Sequence, residues 1–172
     1  MPAVKYLSRV TGRLKELAGV VTSAGATDDG KLVALDASGK IDASVLPSGV
    51  GQNTIALPAS EALSANDLVN IWNDAGTAKI RKADGATEGK EVHGFVKAAF
   101  ALNASATVFL PGNVMTGLTG LTPGARQYLA TTAGGRTETP LAATGNVSQM
   151  VGIAANATTI VFEPEEPITV QA

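Results

Sequence analysis

The sequence predicts an all-β protein: a small β-sandwich or barrel over residues 52–172, behind an extended or partly helical N-terminal arm with a short hairpin over residues 1–51. Three observations carry that expectation. From residue 52 onward, short apolar runs recur at close spacing and are divided by Gly, Pro, Asn and Asp, the punctuation of antiparallel β folds. Within several runs apolar and polar side chains alternate, which is the period-two pattern of a strand. The composition is that of a turn-rich chain, with 19 glycines and 8 prolines, and only 4% of residues aromatic and 16% charged.

The arm comes first. Val4, Leu7, Val10, Leu14, Leu17 and Val21 recur every three or four residues, with Lys5, Arg9, Arg13, Lys15 and Glu16 between them. That is the apolar stripe of a short amphipathic helix. Gly12 and Gly19 oppose it, each costing about 1 kcal/mol relative to Ala inside a helix. Such a helix needs a partner surface to hold. Two readings stand: an unanchored chain end, or a docking segment that orders on contact. Thr22-Ser-Ala-Gly-Ala-Thr-Asp-Asp-Gly30 then reads as a polar connector without core-forming side chains. Two apolar stretches follow, residues 32–35 and 41–46, flanking Asp36-Ala-Ser-Gly39. Asp at the first position and Gly at the fourth fit a type I turn, so a small hairpin is expected. Two strands alone are marginal, so this hairpin needs a surface to lean on.

In the body, residues 54–57, 67–72, 78–82, 91–101, 106–110, 114–119, 126–130, 147–154 and 158–163 read as strands. Turns are expected at Asn73-Asp-Ala-Gly76, Asp84-Gly85, Pro111-Gly-Asn113, Thr122-Pro-Gly124, Gly134-Gly135 and Thr144-Gly-Asn146. Alternation sets Leu68, Asn70 and Trp72 against Val69 and Ile71. It likewise sets Val108 and Leu110 against Thr107 and Phe109, and Met150 and Gly152 against Val151 and Ile153. Strands apolar on both faces, with few charges to block edge pairing, suggest that the second face meets a neighbouring subunit.

Several function classes drop out. A formal charge of −2 gives no electrostatic footprint for nucleic acid. The apolar runs are too short and too often broken to cross a membrane. The first ten residues carry Lys5 and Arg9 without an apolar stretch, so no signal peptide is expected. The absence of cysteine excludes disulfides, thiolate nucleophiles and Cys-ligated zinc.

The string Gly30-Lys-Leu-Val-Ala-Leu-Asp-Ala-Ser-Gly-Lys-Ile-Asp-Ala-Ser-Val-Leu-Pro47, continued by Ser48-Gly-Val-Gly51, resembles a segment of tailed-bacteriophage virion proteins. It occurs there in tail-fibre, head-fibre and head-decoration polypeptides, joining an attachment arm to a projecting domain. In the body Asp67-Leu-Val-Asn-Ile-Trp72, His93-Gly-Phe-Val96, Thr116-Gly-Leu-Thr-Gly-Leu-Thr-Pro-Gly-Ala125 with Gln127-Tyr-Leu129, and Gly145-Asn-Val-Ser-Gln-Met-Val-Gly-Ile153 look like a β-domain of phage head and tail proteins. Tail fibres carry long repetitive shafts, and this chain has none. The resemblance therefore implies a non-enzymatic capsid decoration, or cement, protein on the virion surface, assembled in the bacterial cytoplasm. It implies the major capsid protein as partner and a homotrimer as assembly. Tyr6, Leu7, Val10, Leu14 and Leu17 are the expected capsid-docking side chains. The alternative is a tail-fibre or baseplate module that binds a host receptor or carbohydrate.

The residues offer little chemistry, and no catalytic residue, cofactor or metal is expected. His93 is the sole histidine, and no Gly-x-Ser-x-Gly elbow accompanies it, so a core or interface role outweighs a triad. Asp36-x-Ser38-x-Lys40-x-Asp42 has the start of a calcium-loop spacing, but Gly39 is misplaced and Pro47 stands where the closing Glu belongs. Asp28-Asp29 and Glu163-Pro-Glu-Glu-Pro167 read as solvated charges rather than facing glycosidase acids. Gly117-Leu-Thr-Gly-Leu-Thr-Pro-Gly124 lacks the Gly-Lys-Ser/Thr of a phosphate loop. Asn103-Ala-Ser105, Asn146-Val-Ser148 and Asn156-Ala-Thr158 match glycosylation sequons by chance in a chain rich in these residues. Trp72 with Tyr128 could offer a sugar-stacking platform, although a lone Trp is more often core.

Overall fold

The computed structural model describes residues 4–46 and 51–171. It is all-β. Among the described residues the only helical pieces are two single turns of 3₁₀ helix, Gly25–Asp28 and Ala43–Val45, and no helix is long and apolar enough to cross a membrane. The chain forms two compact units, Met1–Gly51 and Gln52–Ala172.

The first unit overturns the helix. Residues Lys5–Val10 (β1) and Arg13–Ala18 (β2) pair antiparallel, from Lys5↔Ala18 to Val10↔Arg13. Thr11 and Gly12 make the two-residue turn with φ of 51° and 81°, the left-handed pair of a type I′ hairpin. Gly12, costly in a helix, is the residue this turn asks for. Gly19 is needed too: a Cβ there would lie 2.9 Å from the Cβ of Ala34. Next to it Val20 bridges Val33 in parallel.

That bridge also undoes the expected hairpin at residues 32–46. Its turn forms, with Gly39 N–H donating to Asp36 C=O at 3.0 Å and Asp36 N–H to Lys40 C=O at 2.8 Å. The flanks do not pair on. Leu32 and Ala34 are already bonded to Val20, and Ala43–Val45 turns into a 3₁₀ helix with Asp42 as its cap. Asp36 Oδ1, the would-be calcium ligand, instead accepts the N–H groups of Ser38 and Lys40. The Pro47-Ser-Gly-Val50 part of the phage-like string lies outside the described residues.

The body has two five-stranded antiparallel sheets and a small ribbon. The first contains Thr54–Pro58 (β3), Leu68–Asp74 (β4), Thr77–Lys82 (β5), Gly94–Val96 (β6) and Ser105–Phe109 (β7), in the order β3-β7-β6-β4-β5. β4 and β5 are joined through Ala75 and Gly76 at φ of 51° and 90°. Beyond the end of β3, Ala59 bridges Ile80 of β5 in parallel, which curls this sheet into a small barrel. The second sheet contains Val114–Met115 (β8), Arg126–Leu129 (β9), Arg136–Thr137 (β10), Met150–Asn156 (β12) and Thr159–Phe162 (β13), in the order β10-β9-β12-β13-β8. Val147–Ser148 (β11) pairs with Ile168–Thr169 (β14) as the ribbon.

Alternation feeds two cores from the same strands. Val69 and Ile71, Val96, and Val108 and Leu110 point into the barrel, with Leu63 and Phe100 closing it. Leu68, Phe95 and Phe109 leave the opposite face and meet Met115, Leu129, Val151, Ile160 and Phe162 of the second sheet. Strands apolar on both faces are therefore covered within one chain, and no neighbouring subunit is needed to explain them. The alternation expected for β4 and β7 holds. In β12 it fails: pairing with β9 shifts between Met150 and Gly152. This bulge leaves Val151 buried and Ile153 45% exposed. The expected long strand over 91–101 shrinks to Gly94–Val96, because Phe100 folds back to bridge Leu63.

Candidate docking surface

Exposed apolar surface singles out the arm. In residues 4–46 seven large apolar side chains are more than half exposed: Val4, Leu7, Leu14, Leu32, Val33, Leu35 and Ile41. In the described body only Leu102 and Ile168 are. Ala34 is the one apolar residue of the arm that is buried among those described. A unit that leaves so much apolar surface in water gains little from its own packing, which is how segments that complete their folding on a partner are built.

The hairpin register sorts the five expected docking residues. Side chains directly opposite each other share a face. Tyr6 opposite Leu17 and Val10 opposite Arg13 lie on one face, while Leu7 opposite Glu16 and Leu14 opposite Arg9 lie on the other. The helical stripe therefore does not exist as one surface. Tyr6, Val10 and Leu17 are half-buried, and the Tyr6 hydroxyl accepts the Leu32 N–H at 3.3 Å. This face belongs to the arm's own packing. Leu7 and Leu14 are 70% and 71% exposed and are the free apolar pair.

Sequence reasoning named the charges between these residues but not their faces: Arg9 shares the face of Leu7 and Leu14, whereas Arg13 and Lys15 lie on the face of Tyr6 and Val10. Lys5 is bridged to Glu16. Arg9, Arg13 and Lys15 have no carboxylate partner among the described residues. Arg9, Gly12, Arg13 and Leu14 line a hollow at the hairpin tip. Two guanidinium groups beside a leucine suit a surface that offers carboxylates around an apolar patch. The Thr11-Gly12 turn pair between two six-residue runs is the sequence signal that could have disclosed this face.

The remaining turns of the arm are set by carboxylates. Asp28 is held below the usual carboxylate range first by the Lys31 ammonium, 2.8 Å away, and then by the Ala24 N–H. Ser44 does the same to Asp42 through its hydroxyl and backbone N–H. A group with a depressed folded-state value contributes stability that is complete above its unfolded value and is lost as pH falls through the folded one. Acidification through and below the ordinary carboxylate range should therefore loosen these two turns. The amide resonances of Ala24 and Ser44 should titrate with midpoints below that of an unperturbed Asp; ordinary midpoints would contradict the assignment.

Elsewhere the candidate residues scatter. His93 is not a core histidine. It is exposed, and its Nδ1 accepts the Ile71 N–H at 2.9 Å. It lines a cleft of about 380 Å³ with Glu91, Glu165 and Glu166. No group of three or more His, Asp or Glu suited to a metal ion occurs among the described residues. Trp72 and Tyr128 belong to different sheets. The Trp72 ring is covered by the Arg81 guanidinium, 4.7 Å from its centroid, and its Nε1 donates to Ser60 Oγ at 3.2 Å. A sugar stacking there would have to displace the arginine. Comparison with known proteins finds no matching family model and no matching curated protein.

Proposed function

We propose that this is a non-enzymatic virion protein that attaches through its N-terminal hairpin to the outer surface of a tailed-phage capsid and reinforces the shell. The observation that carries the reading is the free Leu7–Leu14 pair with Arg9 on its own face and Arg13 beside it at the hairpin tip, on an arm that buries little of its own surface. The likeness of residues 30–51 and of the body motifs to phage head and tail proteins supplies the identity of the partner, the major capsid protein. A protein that binds only the assembled shell stabilises it by its binding free energy at every site occupied.

In this mechanism the hairpin tip seats two leucines in an apolar depression, while its arginines pair with carboxylates at the rim. The body projects. Trimerisation belongs to the proposal through the phage resemblance alone, since the two-faced strands are satisfied within one chain. Three linked arms would raise avidity without any new contact.

A chain lacking residues 1–21 tests this directly. It should keep the circular dichroism and melting of the body and should no longer sediment with capsids. A truncation that still co-sediments at wild-type stoichiometry contradicts the assignment.

A further inference from the structure

The body carries a feature that docking does not use. β10 is only Arg136–Thr137, and residues two apart in an extended chain, here Arg136 and Glu138, leave it on the same side. Yet no ion pair joins them among the described residues. Glu138 Oε1 is turned away, accepting the Thr122 N–H at 2.8 Å and the Gln127 amide at 3.1 Å. Those bonds, the Thr122 backbone first, hold its carboxyl below the usual range, so it is ionised at neutral pH. Arg136 Nε is sealed from solvent without an acceptor, and burial pulls its guanidinium below the ordinary value. A cation that has lost part of its water and has no anion is costly to a fold, and such groups are ordinarily paired.

Arg136 also lines two adjoining hollows of about 390 Å³ each, with Thr119 and Gly135 common to both. That size lies within the ~300–1,000 Å³ of small-molecule sites. Glu138 lines the first hollow, where Gly120 and Gly135 leave main chain bare beside it.

We propose that this groove binds a small hydroxy acid, with sugar acids such as uronates as the ligand class. The ligand's carboxylate pairs with the terminal guanidinium nitrogens of Arg136, and a neighbouring hydroxyl donates to Oε2 of Glu138, the oxygen that does not accept the Thr122 N–H and Gln127 bonds. Arg136 and Glu138 select for both groups at once, since Asp67, the other charge lining the hollows, is already paired with Lys82 at 3.3 Å. A bare anion meets repulsion from Glu138, and a neutral sugar leaves Arg136 unpaired. The site is independent of the hairpin, so either reading can fail alone.

The test is an NMR titration of the ¹⁵N-labelled full chain with sodium glucuronate, and separately with glucose and inorganic phosphate, at constant ionic strength. Glucuronate should shift the amides of Thr119, Gly120, Gly135 and Thr137 saturably. Glucose and phosphate should each bind at least tenfold more weakly. Arg136→Gln should weaken glucuronate at least tenfold while leaving resonances outside the groove in place. Glu138→Gln, which retains an acceptor for Thr122, should erase the preference over phosphate. It decides the matter if the arginine variant does not fold. No saturable shift, equal binding of glucose or phosphate, unchanged affinity in Arg136→Gln, or unchanged selectivity in Glu138→Gln would each overturn the site.

Discussion

Replacing Phe95 with alanine should cost the body about 3–5 kcal/mol, a large part of the roughly 5–15 kcal/mol by which a domain is stable. The reason lies in its place between the sheets. Phe95 is fully buried on β6. Its ring stacks on Phe109 of the neighbouring strand at 5.4 Å and meets Phe162 of the second sheet edge-on at 5.1 Å. Deletion removes the one aromatic that touches both and leaves a cavity the two sheets cannot easily close, since the barrel core behind β6 is filled by Val96 and Val108. Collapse from the other side is also resisted. Gly94, the preceding residue, sits so close to β7 that a Cβ there would lie 2.5 Å from Val108 Cγ1. Chemical denaturation should show the loss as a lower midpoint with an unchanged slope. A loss under 1 kcal/mol would mean that the two sheets are not held through this cluster.

The second large effect concerns the arm. Leu7→Asp with Leu14→Asp should weaken capsid attachment by a factor of at least about 100, since each leucine contributes roughly 1.5–3 kcal/mol when buried. Both side chains are already in water in the free protein, so the substitutions should leave folding nearly untouched. Tyr6→Ala with Leu17→Ala should act differently, because these two pack on the inner face of the hairpin. They should loosen the arm itself, read as lost dispersion of the amides of residues 5–20. An amphipathic helix would instead make the four positions equivalent, with all of them weakening binding to the same degree. The two pairs therefore separate the hairpin from the helix by function as well as by structure.

Much of the body was legible in the sequence because its strands are short, alternating and closed by turn residues with a single backbone solution. Asn73-Asp-Ala-Gly76 and the opposed faces of Leu68 and Val69 are of this kind. What escaped needed information from elsewhere in the fold. The run over 91–101 has strand composition throughout, yet Phe100 is taken by Leu63 to cap the barrel. The bulge at Met150 and Gly152 turns Ile153 outward although local alternation pairs it with Val151. A backbone pattern close to both periods misled the reading of the arm: Val4, Leu7, Val10, Leu14 and Leu17 fit three-and-four spacing, while Tyr6, Ser8 and Val10 fit two. The Thr11-Gly12 turn decided between them. Of the docking residues, Leu7 and Leu14 remain on the free face and Tyr6, Val10 and Leu17 do not. The apolar character of both faces of β4 and β7 was readable, but what covers the second face was not, because a sheet curling on itself leaves no local mark.

The most direct test of the capsid-decoration reading is immunogold electron microscopy of intact particles with antibody raised against residues 52–172. Label should spread over the head, and none should appear on particles assembled with the chain lacking residues 1–21. Label confined to the tail would contradict it and would assign the protein to a fibre or baseplate instead.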